Sequence, residues 1–151
     1  MPKIAIIMGS KSDLDIMNKA HDFLTEQDIE SEVIVASAHR NPEKVHKIAQ
    51  DVEKNCDVVI AGAGMAAHLA GALKAHSTLP VIGVPLPGGV LDGLDSLFAT
   101  VQMPKGVPVA TMAVGKAGAI NAAILCAEIF SLTDPSIKSK LDEFKNNGAK
   151  L

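Results

Sequence analysis

Three short stretches carry residue types that handle anions and protons: Gly9-Ser10-Lys11-Ser12-Asp13, Ser37-Ala38-His39-Arg40, and Gly62-Ala63-Gly64-Met65-Ala66-Ala67-His68. In the first, small residues lead into a helical pattern. Backbone N–H groups at a helix start favour an anion, and serine hydroxyls add donors. Asp13 is awkward beside a phosphate but suits sugar hydroxyls. Ser12 with Asp15 three residues on also reads as a capping box, which leaves Ser10 without a structural explanation. In the second, Arg40 offers a fork for phosphate or carboxylate. His39 exchanges a proton near neutral pH, its unperturbed pKa being about 6.5, and Ser37 places a hydroxyl close by. The third contains Gly-Ala-Gly-Met-Ala-Ala, the loosest form of the dinucleotide fingerprint. That fingerprint expects an acidic residue at the end of the next strand to hold a ribose. Here the strand ends Gly83-Val84-Pro85, and the next acid is Asp92. The glycines then simply let the backbone approach a ligand closely. Of the other histidines, His21 and His46 fall inside helical patterns and read as solvated; the dipole of a helix C-terminus explains His76.

Each stretch follows a short apolar run. Lys3–Met8, Glu32–Ala36, Asp57–Ala61, Pro80–Val84 and Val107–Val114 read as five strands. They are apolar on both sides, as parallel strands between two helical layers are. Between them lie helical patterns: Ile16, Ala20, Phe23 and Leu24 on one face; Val45, Ile48, Ala49 and Val52 behind an Asn41-Pro42 start; and a third from about Ala66 to His76. Alternation at this spacing predicts βαβ units in a doubly wound α/β domain spanning residues 1–151. Ligands bind such sheets at the carboxyl ends of the strands. With strand order 2-1-3-4-5, the first three strands are adjacent and the three stretches converge. Gly93–Thr111 is the last crossover, and its Gln102-Met103-Pro104-Lys105-Gly106 reads as a loop able to close over a ligand. Gly118–Phe130 is apolar nearly all round, so a subunit interface is its expected cover. Asp134-Pro135 caps a last helix whose thin stripe, Ile137, Leu141 and Phe144, is suited to reach a neighbour. A homo-oligomer is expected.

Composition removes several classes of function. In 151 residues, 14 Lys and Arg face 17 Asp and Glu, so no basic face awaits nucleic acid. The two cysteines, Cys56 and Cys126, sit in apolar stretches with no metal-ligand spacing, which fits a reducing, cytoplasmic setting. No signal peptide is visible, and the longest uncharged stretch, Ala75–Leu91, is broken by three prolines and does not read as a membrane span. With neither Trp nor Tyr, a flavin loses its usual stacking partner.

Five strings occur in a fixed order: MGSKSD, SAHR, AGAGMAAHLAG, GLDSLFATVQMPKGVPVAT and GKAGAINAA. Together, from about Lys3 to Ile129, they closely resemble the N5-carboxyaminoimidazole ribonucleotide mutase family, the catalytic subunit of phosphoribosylaminoimidazole carboxylase in de novo purine synthesis. The resemblance implies a flavodoxin-like three-layer sandwich assembled as a homo-octamer with sites between subunits. It implies transfer of a carboxylate from the exocyclic amine of an imidazole ribonucleotide to a ring carbon, with no metal, ATP or biotin. Carried over by motif, His39 is the proton shuttle, acting as general acid and then base. Arg40, with Ser37 and Ser12, holds the phosphate and Asp13 the ribose hydroxyls. Ser10 and the wall of Gly62 and Gly64 face the base and its carboxylate, and His68 lines the site. Leu14 stands where many bacterial members carry Trp, and Asn41 where Thr is common. A sister class that carboxylates aminoimidazole ribonucleotide directly with carbon dioxide carries Lys after Ala-His, so Arg40 favours the mutase. A nucleotide-binding regulatory module on the same fold would need the anion loops but not His39.

Overall fold

The computed structural model describes residues 1–151. Five parallel strands, β1 (Lys3–Met8), β2 (Glu30–Val35), β3 (Val58–Ala63), β4 (Val81–Pro85) and β5 (Ala110–Thr111), pair in the order β2-β1-β3-β4-β5. Their side chains alternate between two buried faces. Ile4, Ile6, Met8, Val58, Ile60, Ile82 and Val84 point to one side. There they meet α1 (Leu14–Glu26), α5 (Lys116–Ser131) and α6 (Pro135–Asn146). On the other side, the smaller Ala5, Ile7, Val59, Ala61 and Val81 meet α2 (Pro42–Asn55) and α3 (Leu69–Ala75). Both faces are apolar because both are covered, which is why these strands read as continuous hydrophobic runs. No helix is long and apolar enough to cross a membrane.

Register sets the working edge. Val35, Met8, Gly62 and Val84 form one row across β2, β1, β3 and β4, so the chain leaves all four strands at the same level. Backbone bonds carry the alignment into the loops: Gly9 N–H donates to Gly62 O (3.2 Å), Ala36 N–H to Met8 O (2.8 Å) and Leu86 N–H to Ala63 O (2.9 Å).

Several elements differ from their sequence reading. β5 pairs over two residues only, Ala110 with Ile82 and Thr111 with Gly83; Pro108, lacking an N–H, cannot extend the ladder. Within Gly93–Thr111 lies an additional helix, α4 (Leu94–Val101), whose pattern is inverted. Its buried residues are Ser96 and Thr100, while Leu94, Phe98 and Val101 are exposed. The buried hydroxyls are satisfied by carbonyls: Ser96 donates to Leu86 O and Thr100 to Ser96 O, each at 2.7 Å. Apolar α5 takes its cover largely from its own chain, lying on the sheet between α1 and α6. The α6 stripe is likewise engaged within the chain. Ile137 and Leu141 are buried, and Phe144 meets Phe23 edge-on with ring centroids 5.5 Å apart. α6 starts as its sequence directs, Asp134 Oδ1 accepting from Ser136 N–H (2.9 Å) with Pro135 at the first turn.

Candidate active site

At the carboxyl edge the loops after β1, β2, β3 and β4 enclose a cavity of about 460 Å³. That is the size class of small-molecule sites, roughly 300–1,000 Å³. Ser10, Ser12, Asp13, Ser37, His39, Arg40, Gly64 and His68 all line it.

The loop after β1 makes a single 3-10 turn, Lys11–Asp13, before α1. Ser10 is extended (φ −147°, ψ 150°) and caps this turn, its Oγ accepting from Ser12 N–H at 3.3 Å and lying 2.9 Å from Ser12 Oγ. The capping residue is thus Ser10, two residues earlier than the Ser12–Asp15 box. The 3-10 turn displaces the start of α1, and Asp13 precedes α1 without a side-chain cap bond. Asp13 is half-buried, and burial raises its carboxyl above the ordinary value, the Ser10 backbone offsetting part of the effect. A carboxylate held in this way gains from a ligand hydroxyl that donates to it.

The turn after β2 is fixed by its own backbone. Asn41 N–H donates to Ser37 O (2.9 Å) and Arg40 N–H to Ser37 Oγ (3.2 Å). Asn41 Oδ1 then accepts from Lys44 N–H (3.1 Å) to start α2. Ser37 therefore shapes the turn as acceptor and keeps its own proton to donate. His39 and Arg40 project from this turn, both exposed, and Arg40 joins none of the chain's ion pairs. A guanidinium with every donor free, beside two serines and a loop of backbone N–H groups, is a ready seat for a phosphate.

The third wall runs from Ala63 to Leu69. The segment Met65–Ala67 stays outside α3, which starts only after His68. Met65, at φ 54°, adopts the left-handed backbone that β-carbon-bearing residues disfavour, and its side chain is exposed. The imidazole of His68 lies flat against that of His39, ring centroids 5.4 Å apart and planes 12° from parallel.

Gly62 does not line the cavity. A Cβ there would come within 2.4 Å of Met17 Sδ, so its role is to seat α1 against β3, and its carbonyl holds Gly9. At Gly64, by contrast, a Cβ would make only ordinary contacts, with the Leu86 and Pro87 carbonyls at 3.6 Å and Leu86 Cβ at 3.8 Å, so the fold tolerates a larger residue there. A fourth wall, Pro87-Gly88-Gly89, escaped the sequence reading. Its signal was available: β4 neighbours β3 in the order 2-1-3-4-5, so its loop belongs to the same edge. Gly88 and Gly89 both take positive φ (105° and 74°), and Gly88 N–H donates to Asp92 Oδ1 at 3.0 Å. No residue of Gly93–Thr111 lines the cavity: Leu94–Val101 form α4, and the 102–106 stretch read as a closing loop follows it as a turn leading to β5. His21 is tied to Ser31, Nδ1 to Oγ at 2.7 Å, rather than solvated.

Comparison with known proteins agrees with the fold. Residues 3–150 match the family described as AIR carboxylase. The N5-carboxyaminoimidazole ribonucleotide mutase of Pyrococcus abyssi is 51% identical over 148 residues, 97% of this chain and 84% of that protein. Its namesake in Bacillus subtilis is 50% identical, over 97% of this chain and 91% of the relative. The crystal structure of Treponema denticola PurE, 28% identical, superposes with a TM-score of 0.89 over 99% of this chain and 92% of its own. With sequence and architecture matched along nearly the whole length, the chain belongs to the AIR carboxylase family.

Proposed function

We propose that this protein converts N5-carboxyaminoimidazole ribonucleotide to 4-carboxy-5-aminoimidazole ribonucleotide in purine biosynthesis, residues 1–151 acting as one catalytic domain. One observation carries the reading: His39 and the chain's only arginine, Arg40, are adjacent on a cavity shared with Ser10, Ser12 and Asp13. The names of the relatives support it. Arg40, Ser37 and Ser12 hold the phosphate, Asp13 accepts from the ribose hydroxyls, and Ser10 and the backbone at Gly64 face the imidazole and its carboxylate. His68 completes the wall.

The reaction moves one proton out and back. His39, as imidazolium, donates to the exocyclic nitrogen while the N–C bond breaks, releasing carbon dioxide and the free amine. The amine lone pair, pushed through the ring, lets the neighbouring ring carbon attack carbon dioxide. Neutral His39 then takes the proton from that carbon, restoring the aromatic ring and its own charge. The carbon dioxide must be held meanwhile, and a small wall of glycine and alanine leaves room for it without offering water a partner.

The protein acts as a cytoplasmic homo-oligomer, an octamer by its family resemblance. The exposed face of α4, Leu94, Phe98 and Val101, with Val90, Leu91 and Val114 beside it, is the surface a second copy covers. The family description also fits direct carboxylation of aminoimidazole ribonucleotide, which is the second reading. An assay with each ribonucleotide separately decides, the second with bicarbonate at low concentration. Turnover of the carboxylated substrate, reduced at least ~100-fold in His39→Asn with ribonucleotide binding intact, is the expected result. Efficient turnover of the second substrate alone selects the carboxylase, and full activity of His39→Asn removes the shuttle.

A further inference from the structure

We propose that His68 is a positioning residue that holds the plane of the His39 ring; the inference rests on His39 being the proton shuttle. The hydrogen bonds made by histidine rings in this chain belong to His21 and His46, so neither His39 nor His68 has its ring fixed by a donor or acceptor of the chain. What His39 does have is a flat aromatic neighbour, with centroids 5.4 Å apart and planes 12° from parallel. That separation lies within the range of favourable offset stacking.

Both backbones beneath the pair are rigid and come from different elements. The His39 turn is closed by the bonds from Asn41 and Arg40 to Ser37. His68 sits between buried Ala67 and Leu69, and its carbonyl accepts the first helical bond of α3, from Ala72 N–H at 2.9 Å. Both side chains are exposed and neither ring is hydrogen-bonded, so the stack is what restrains each ring against the other.

Stacking suits the proposed task better than a hydrogen bond would. A carbonyl or carboxylate on one ring nitrogen fixes the tautomer and occupies that nitrogen. A shuttle must instead give a proton to one substrate atom and recover it from another, using the edge of a ring whose plane does not wander. A flat neighbour restrains the plane, blocks one face, and leaves both nitrogens and the other face open. Misplacement of a reacting group by an ångström costs catalysis far more than binding.

The test compares His68→Ala, His68→Leu and His68→Phe in the full-length protein, with kcat and KM measured separately and thermal midpoints confirming folding. Loss of the flat ring in Ala and Leu lowers kcat about tenfold or more, with KM changed by less than about threefold, and Phe restores kcat to within about threefold of wild type. Three results overturn the inference: Ala and Leu variants with wild-type kcat, a defect confined to KM, or a Phe variant as slow as Ala. The last would mean that an imidazole nitrogen of His68 meets the substrate. The shuttle reading fails separately, by an active His39→Asn, whatever the His68 series shows.

Discussion

At the amino-terminal edge of the sheet, Lys3 Nζ reaches Glu30 and Glu32, both at 3.4 Å, and Lys3 N–H donates to Asp57 at 2.9 Å. The Cys56 thiol donates to Glu32 at 3.4 Å. Nearby, Glu53 accepts from Ser77 and Thr78, and Lys140 pairs with Asp28. At the carboxyl edge, Asp13, Arg40, His39 and His68 join no ion pair, and the β4–β5 side leaves Leu94, Phe98 and Val101 uncovered. One fold thus completes its contacts at one edge and leaves them open at the other. Unsatisfied groups cost stability, and they are retained where a ligand or another chain satisfies them.

Replacing one cation at each edge gives the largest contrast. Arg40→Met should lower kcat/KM by about 2–5 kcal/mol, or roughly 30-fold to several-thousand-fold, because a charged partner of the phosphate is lost. Its thermal midpoint should stay near wild type, since no contact within the chain is broken. Lys3→Met should do the reverse, lowering the thermal midpoint slightly, as loss of a surface ion pair does, with steady-state kinetics unchanged. A destabilised Arg40→Met would show that the open edge has internal partners after all.

The apolar half of the contrast is broken at Phe98. Phe98→Glu places a carboxylate on the uncovered α4 face, and burying it against a second copy costs several kcal/mol. Light scattering should find a smaller species at micromolar concentration, with turnover reduced about tenfold or more. Lys47→Glu on exposed α2 should change neither. An assembly that survives Phe98→Glu would place the interface elsewhere.

Two glycines sharpen the comparison within the carboxyl edge itself. Gly62→Ala overpacks Met17 and should cost about 1–3 kcal/mol in denaturant unfolding. Gly64→Ala, with only ordinary contacts around its Cβ, should stay within about 0.5 kcal/mol of wild type. Equal losses would erase the distinction between a glycine kept for packing and one kept beside a ligand.

The sheet and three of the four site walls were legible because the physics behind them is local. Continuous apolar runs mark doubly covered strands, and Asn41-Pro42 and Asp134-Pro135 mark helix starts by their own hydrogen bonds. What was hidden depends on surroundings. α4 escaped because its pattern is inverted: apolar residues face outward and Ser96 and Thr100 turn inward. Gly62 and Gly64 look alike in sequence, and only Met17, 45 residues away, separates them. Ser10 took the capping role given to Ser12 because a 3-10 turn, which hydrophobic periodicity does not register, precedes α1. The partners of the α6 stripe within the chain were hidden for a related reason: Phe144 finds Phe23 only once α1 is in place.

The smallest predicted effects carry opposite signs at the two edges. Burial raises the Asp13 carboxyl above its ordinary 3.8, while hydrogen bonds from Ser77 and Thr78 hold Glu53 below 4.5. For Asp13, the folded chain binds the proton more tightly than the unfolded chain. Stability therefore falls as pH rises from the unfolded value through the raised folded one, and at neutral pH the carboxylate is a cost. For Glu53, the unfolded chain binds the proton more tightly. Its contribution is present above the unfolded value and is lost as pH falls through the depressed folded one. Asp13→Asn should then raise the thermal midpoint slightly at neutral pH while weakening ribonucleotide binding about tenfold, the worth of a hydrogen bond to a charged group. Glu53→Gln should lower the midpoint slightly and leave binding alone, and both differences should vanish in strong acid. If Asp13→Asn were instead destabilising at neutral pH, the carboxylate would be holding the loop after β1 together. The carboxyl edge would then be structured by the same satisfied contacts as the amino edge, and its open polar groups would no longer point to a ligand.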